Sequence, residues 1–317
     1  MMLATAHTLT IRDRLSSHDP EVRRIAVMAL PDGDEDEIER LLLDALKDPD
    51  AAVRLEAARL LEGYEVLPVV EGLIVALHDA DAAVHEAAAF SLSELKDPAM
   101  GSALLAALPG ASSPAVRAAL LRALRQLRCP EAFAPALAAL FEPTGEVRCA
   151  ALGVLGYLKN DQALPEIARI VCTDSDPEAR RIAVGALGFS TDLAAVTPAL
   201  RQALGDAFWQ VRDEAAATLA KLRVVEAQGD LIAAMADPYW QVRIKAARGL
   251  GRMKVRSALP VLIDALGHEV SNLRKEAAIA LGEIGDYGAI PALEKALNDA
   301  DPDVRKLARI ALNQIAA

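Results

Sequence analysis

The pairs His85-Glu86 and His268-Glu269 come closest to a reactive constellation, because an imidazole beside a carboxylate is a frequent metal-ligand set. The five histidines, His7, His18, His78, His85 and His268, are scattered along the chain with no zinc-type spacing. The cysteines Cys129, Cys149 and Cys172 show neither paired nor metal-type spacing. G-x-S-x-G, phosphate-loop and zinc patterns are absent. No catalytic residue, metal site or cofactor is assigned on this basis.

The remaining candidates are side chains that bind rather than react. Aromatics make up only 3% of the chain, so the adjacent pairs Phe208-Trp209 and Tyr239-Trp240 stand out. They occupy equivalent places, which poses the question of what elements carry them. With Arg243 as origin, equivalents recur at Arg23, Arg54, His85, Arg117, Arg148, Arg180, Arg212, Arg274 and Arg305, at intervals of 31 or 32 residues. Seven positions on stands leucine in every copy, from Leu30 to Leu312. Three positions on stands alanine, except for Leu120. A fixed period of this length marks a solenoid, whose units bury their apolar faces only against neighbours.

Each unit reads as two helices. In the eighth, a first helix near 229–236 carries Leu231, Ile232 and Met235 at i, i+1, i+4. A turn rich in Asp and Pro follows, then a second helix from about the origin to ten positions beyond. Asp ahead of that helix can cap its first turn. Gly251, Gly282 and Gly285 are expected to close second helices, and Pro165, Pro198, Pro260 and Pro291 to stand just ahead of first helices. Pro31 and the acidic run Asp32, Asp34, Glu35, Asp36, Glu37 shorten the first repeat, as suits a solvated cap covering about 1–35.

The formal charge of −11 opposes nucleic acid as the main partner, since phosphate binding needs a basic surface. No secretory leader and no run of 18 apolar residues occurs, so a soluble protein of the reducing cytoplasm, away from membranes, is expected.

The Asp-Pro turn followed by V-R-x-x-A-A-x-x-L-G resembles HEAT repeats, in particular the short phycobilisome-lyase HEAT-like form. The resemblance covers the whole chain and implies an all-α fold: an α-solenoid superhelix of about ten repeats in one domain, 1–317. It also implies a ladder in which turn aspartates bond the origin arginines of neighbouring repeats. Asp stands four or six places before the origin at Asp19, Asp48, Asp50, Asp79, Asp81, Asp174, Asp176, Asp206, Asp237, Asp299 and Asp301. Repeats four, five and nine lack it, so the ladder is expected to break there. Such proteins include scaffolds, adaptors, bilin lyase subunits and deoxyhypusine hydroxylase, whose His-Glu pairs hold two irons. In that hydroxylase the histidine follows the arginine position, whereas His85 occupies it, so His85 reads as an arginine substitute. A bilin lyase attaches its pigment to a cysteine of the client, so Cys149 is not required for that chemistry.

Positions one, five and nine of each second helix should face away from the core. They supply the candidate partner-binding residues: Phe90, Cys149, Gly153, Tyr157, Gly185, Phe189, Arg248 and Arg252, flanked by Lys221 and Lys275. Trp209 and Trp240 form a second candidate ridge, or cover the edge of the core. The glycines either clear a floor for a partner or admit a neighbouring helix. Leu307 and Ile310 in the last repeat are candidates for self-association. The expected function is a non-enzymatic scaffold, adaptor or assembly factor that holds another protein, through a peptide, helix or acidic segment, along its concave face. The alternative is an enzyme or enzyme subunit resembling bilin lyase or the hydroxylase.

Overall fold

Alanine at the third position and leucine at the seventh put one small and one large side chain on the same helix face. The computed structural model describes residues 11–30 and 35–316, and they are helical throughout, without a strand among them. The alanines at the third position, and Leu120 among them, are 0% exposed. Small alanines let helices approach closely, and the leucines beside them fill the remaining space. Leu187, Leu219, Leu250 and Leu281 are likewise 0% exposed, whereas Leu312 is only half-buried.

The chain divides into two compact units, the first ending at Leu158 and the second beginning at Lys159. Each contains five repeats, and within each the second helices pack on one another in succession. In unit 2 the second helices are Pro177–Leu187, Trp209–Leu222, Trp240–Arg252, Ser271–Ile284 and Pro302–Ala316. They start about three residues before the origin, earlier than the sequence pattern suggested, because the N-cap stands four places before it. Asp50, Asp81 and Asp176 at that place accept N–H groups of the first turn.

Three sequence expectations are corrected. Gly251 and Gly282 lie inside their helices rather than ending them. A Cβ on Gly251 would stand 2.7 Å from the backbone Cα of Ala280, so glycine here admits the next helix. Of the three glycines expected to close second helices, Gly285 does so, at φ +71°. Pro165, Pro260 and Pro291 occupy the first turn of their helices, where a missing N–H does no harm, but Pro198 lies inside Leu193–Ala203. In the repeats of Pro165, Pro260 and Pro291 a short 3₁₀ turn precedes the first helix; repeat seven has none, so its longer helix encloses the proline. Residues 31–34 of the acidic run lie outside the described residues, while Glu35 opens the helix Glu35–Ala45.

The ladder forms, and two aspartate positions divide its labour. The carboxylate six places before an origin takes two hydrogen bonds from the preceding repeat's arginine. Thus Arg54 reaches Asp79 at 2.6 and 2.8 Å, and Arg212 reaches Asp237 at 2.6 and 2.9 Å. The same arginine donates to a carbonyl of its own turn, Arg212 to Asp206 O at 2.8 Å. Repeat five departs from expectation: Glu142 replaces the aspartate and takes one bond from Arg117 at 3.3 Å. Its extra methylene forfeits the two-pronged geometry, and Arg117 Nε is left buried without a partner. At repeats four and nine the ladder breaks as expected. His85 turns Nδ1 to Leu77 O at 2.6 Å, and Arg243 bonds only the carbonyl of Asp237.

The ladder makes stability acid-sensitive. The Arg54 guanidinium holds the Asp79 carboxyl below its usual range, and Arg274 does the same for Asp299. Lys275 draws Asp301 down to about 2. A depressed carboxylate contributes its full stability above the unfolded value of about 3.9 and loses it as pH falls through the folded value. Asp213, Glu214 and Glu283, pushed up by burial, act in the opposite sense, but the lowered carboxylates outnumber them. The melting temperature should therefore hold from neutrality to about pH 5 and drop steeply below about pH 4. A flat calorimetric profile down to about pH 3 would contradict the ladder's contribution.

Candidate partner-binding surface

The ninth position of the second helices carries exposed aromatics in both units. In unit 1, Tyr157 is 41% exposed, and the guanidinium carbons of Arg125 and Arg128 both stand 5.7 Å from its ring centre. Arg125 Nε is buried with no hydrogen-bond partner, so the ring face stands in for one. In unit 2, Phe189 is 47% exposed, with Lys221 at 3.8 Å and Lys159 at 4.9 Å. Phe90, at the fifth position in unit 1, is 56% exposed.

The glycines of the fifth column are not an open floor. A Cβ on Gly153 would meet Arg125 Cδ at 3.2 Å, and one on Gly185 would meet Glu214 Oε1 at 3.2 Å. Each glycine therefore makes room for a long side chain of the adjacent repeat. Cys149 is half-buried on Gly145–Leu158.

The basic strip read from the sequence is largely spent internally. Arg248 gives two hydrogen bonds to Glu276, at 2.9 and 2.7 Å, and Glu276 is only 8% exposed. Lys275 pairs with Asp301 at 3.0 Å and Asp303 at 3.3 Å. Arg252 is exposed, and its side chain makes no ion pair or hydrogen bond among the described residues.

Four basic residues passed over in the sequence stand at the eleventh position: Arg128, Lys159, Arg223 and Lys254, with φ between 51° and 54°. This left-handed backbone costs a non-glycine residue about 1 kcal/mol or more. Gly285 takes the same place in repeat nine at φ +71°, which shows that glycine fits. A cation near a helix C-terminus recovers about 0.3–1 kcal/mol, so the basic side chains gain the fold little. Their recurrence every repeat or two is the sequence signal that would have found them.

The turn aromatics cover the ladder. Phe208 lies over Arg180 at 5.6 Å and Tyr239 over Arg212 at 5.7 Å, at the place that Asp holds in other repeats. Trp209 stacks on Tyr239 at 5.3 Å, not on Trp240. Trp209 and Trp240 are both half-buried. The rings thereby keep water from the partly buried ion pairs.

His85 belongs to unit 1 and His268 to unit 2. His268 lies in a turn, where its Nδ1 accepts from Val270 N at 3.0 Å, the bond an aspartate makes elsewhere. No group of three or more His, Cys, Asp or Glu is arranged to hold a metal ion among the described residues.

The sequence pattern of HEAT repeats matches residues 8–65, 70–144, 133–220 and 229–313. No curated protein matches the chain. Among solved structures, YibA of Escherichia coli is 21% identical, with 92% of this chain and 95% of that one covered at a TM-score of 0.57. Kap95p in complex with RanGDP is 16% identical; the match covers 96% of this chain but 49% of that one, at a TM-score of 0.65. Kap121p bound to the extreme C-terminus of the phosphatase Cdc14p is 17% identical, covering 96% and 41% at a TM-score of 0.56. At these identities the likeness shows the fold.

Proposed function

We propose that this chain, which belongs to the HEAT repeat family, is a non-enzymatic scaffold or assembly factor of the cytoplasm that holds a protein partner. The observation that carries this reading is the column of exposed aromatics flanked by cations, Tyr157 in unit 1 and Phe189 in unit 2. Rings held by cations at the surface present flat apolar area at small entropic cost, which is what dominant anchors of an interface need. The karyopherin neighbours support it, one bound to RanGDP and the other to a C-terminal segment of Cdc14p. Phe90, Cys149 and Gly153 would border the contact in unit 1 and Gly185 that in unit 2, and Trp209 and Trp240 are the secondary ridge. Ile310, 43% exposed, with the half-buried Leu307 beside it, would serve self-association.

The test is affinity purification from the native host with wild type, Tyr157→Ala and Phe189→Ala. A specific partner should be retained by wild type and weakened at least about tenfold in one variant, with the melting temperature nearly unchanged. Variants that melt early would mark the rings as structural. A protein isolated with iron or a chromophore would overturn the scaffold reading in favour of an enzyme.

A further inference from the structure

We infer that a cleft in unit 2, lined by Arg223, Arg252 and Lys254, docks an acidic peptide segment of another protein. Its Asp and Glu carboxylates would sit on the three cations, and its backbone N–H groups on neighbouring carbonyls. The inference rests on the scaffold reading and deepens it by naming the chemistry of the bound segment.

The cleft measures about 440 Å³, and its other polar side chains are Glu283 and Gln314. Three cations against one carboxylate leave a formal charge of +2, in a chain whose total is −11. None of the three cations makes a side-chain ion pair or hydrogen bond among the described residues, unlike Arg212, Arg248 and Arg274 of the same unit. Arg223 and Lys254 also hold the left-handed backbone that Gly285 adopts in the same place one repeat on. Arg252 and Arg223 share the field of Glu283, yet the three cations outnumber that one carboxylate, and side chains kept where glycine fits point to a further ligand of opposite charge.

The helix ends select a peptide over other anions. Trp209–Leu222, Trp240–Arg252 and Ser271–Ile284 all terminate at this cleft. Helix C-termini present carbonyl oxygens in excess of their N–H partners. Leu219, Gly249, Leu250, Gly251 and Leu281 already accept bonds in the cap turns; the end carbonyls left over would take the N–H groups of an extended chain, which a phosphate lacks.

The experiment is fluorescence anisotropy of the full chain with a short labelled peptide of alternating Asp and Glu, beside an oligolysine control. Saturable binding of the acidic peptide is expected, weakening as salt rises. Arg223→Gly with Lys254→Gly should lower the affinity at least about tenfold, and Arg252→Gln should also weaken it. Because glycine relieves the left-handed backbone, the double variant should melt no lower than wild type. A lower melting point would assign the two side chains to the fold and overturn the inference. So would equal binding by the variant, equal binding of oligolysine, or displacement by inorganic phosphate at the peptide's own concentration. Self-association of the wild type through this cleft, removed by neutralising Asp32 and Asp34, would overturn the foreign occupant. If the acidic peptide does not bind while host partners still depend on Tyr157 or Phe189, this inference fails alone. Loss of both results removes the scaffold reading too.

Discussion

Leu187→Ala is expected to lower the free energy of unfolding by about 2–5 kcal/mol, and Leu312→Ala by no more than about 2 kcal/mol. Leu187 is 0% exposed between repeats, so truncation removes its burial and leaves a cavity that the rigid helices cannot close. Leu312 holds the same column in repeat ten but is half-buried, so part of its side chain already meets water. Its truncation forfeits less burial and leaves a space that solvent can fill. Urea unfolding of the two variants measures both values. Equal losses would mean that position in the stack, and hence nearest-neighbour packing, does not set the energy of a repeat.

Arg212→Ala should cost about 3 kcal/mol, and Arg243→Ala only about 1 kcal/mol. Both are origin arginines of adjacent repeats, which makes each the control for the other. Arg212 joins its own turn to Asp237 of the next repeat, and the pair is 12% and 7% exposed. Removing it strands a carboxylate that retains its hydrogen bond from Tyr239 N but loses its counter-charge. Arg243 has no such carboxylate ahead of it, because His268 stands where the aspartate would be. Its loss therefore breaks only the bond to a carbonyl of its own turn. The reverse change is informative as well: His268→Asp should supply the missing rung and raise stability by about 1 kcal/mol. Similar melting temperatures for Arg212→Ala and Arg243→Ala would show that the ladder orders the turns without stabilising them.

The sequence by itself determined the fold, because the signal is repeated and physical. Alanine three places and leucine seven places after the origin must share a face, and no copy can bury that face alone. The ladder was implied by the resemblance to HEAT repeats, with Asp and Arg at fixed offsets marking where it could form, and the structure decided which aspartate takes the arginine. Even its gaps at repeats four and nine were legible from missing residues. The bond from Arg117 to Glu142 was not, because whether a longer carboxylate still reaches depends on the spacing between two helices. The candidate surface divided along the same line. That Phe90, Tyr157 and Phe189 point outward follows from helical phase. The fate of each charge and glycine does not, because it depends on a partner in the next repeat. Helical phase alone leaves Arg248 a free cation and Gly153 and Gly185 an open floor, whereas in the fold Glu276 pairs with Arg248 and side chains of the adjacent repeats fill the space at both glycines. Arg223 and Lys254 show the same limit from the other side. Only the folded backbone reveals their positive φ, and only the stacking of three helices brings them to one cleft with Arg252, a distance relation that no single repeat encodes.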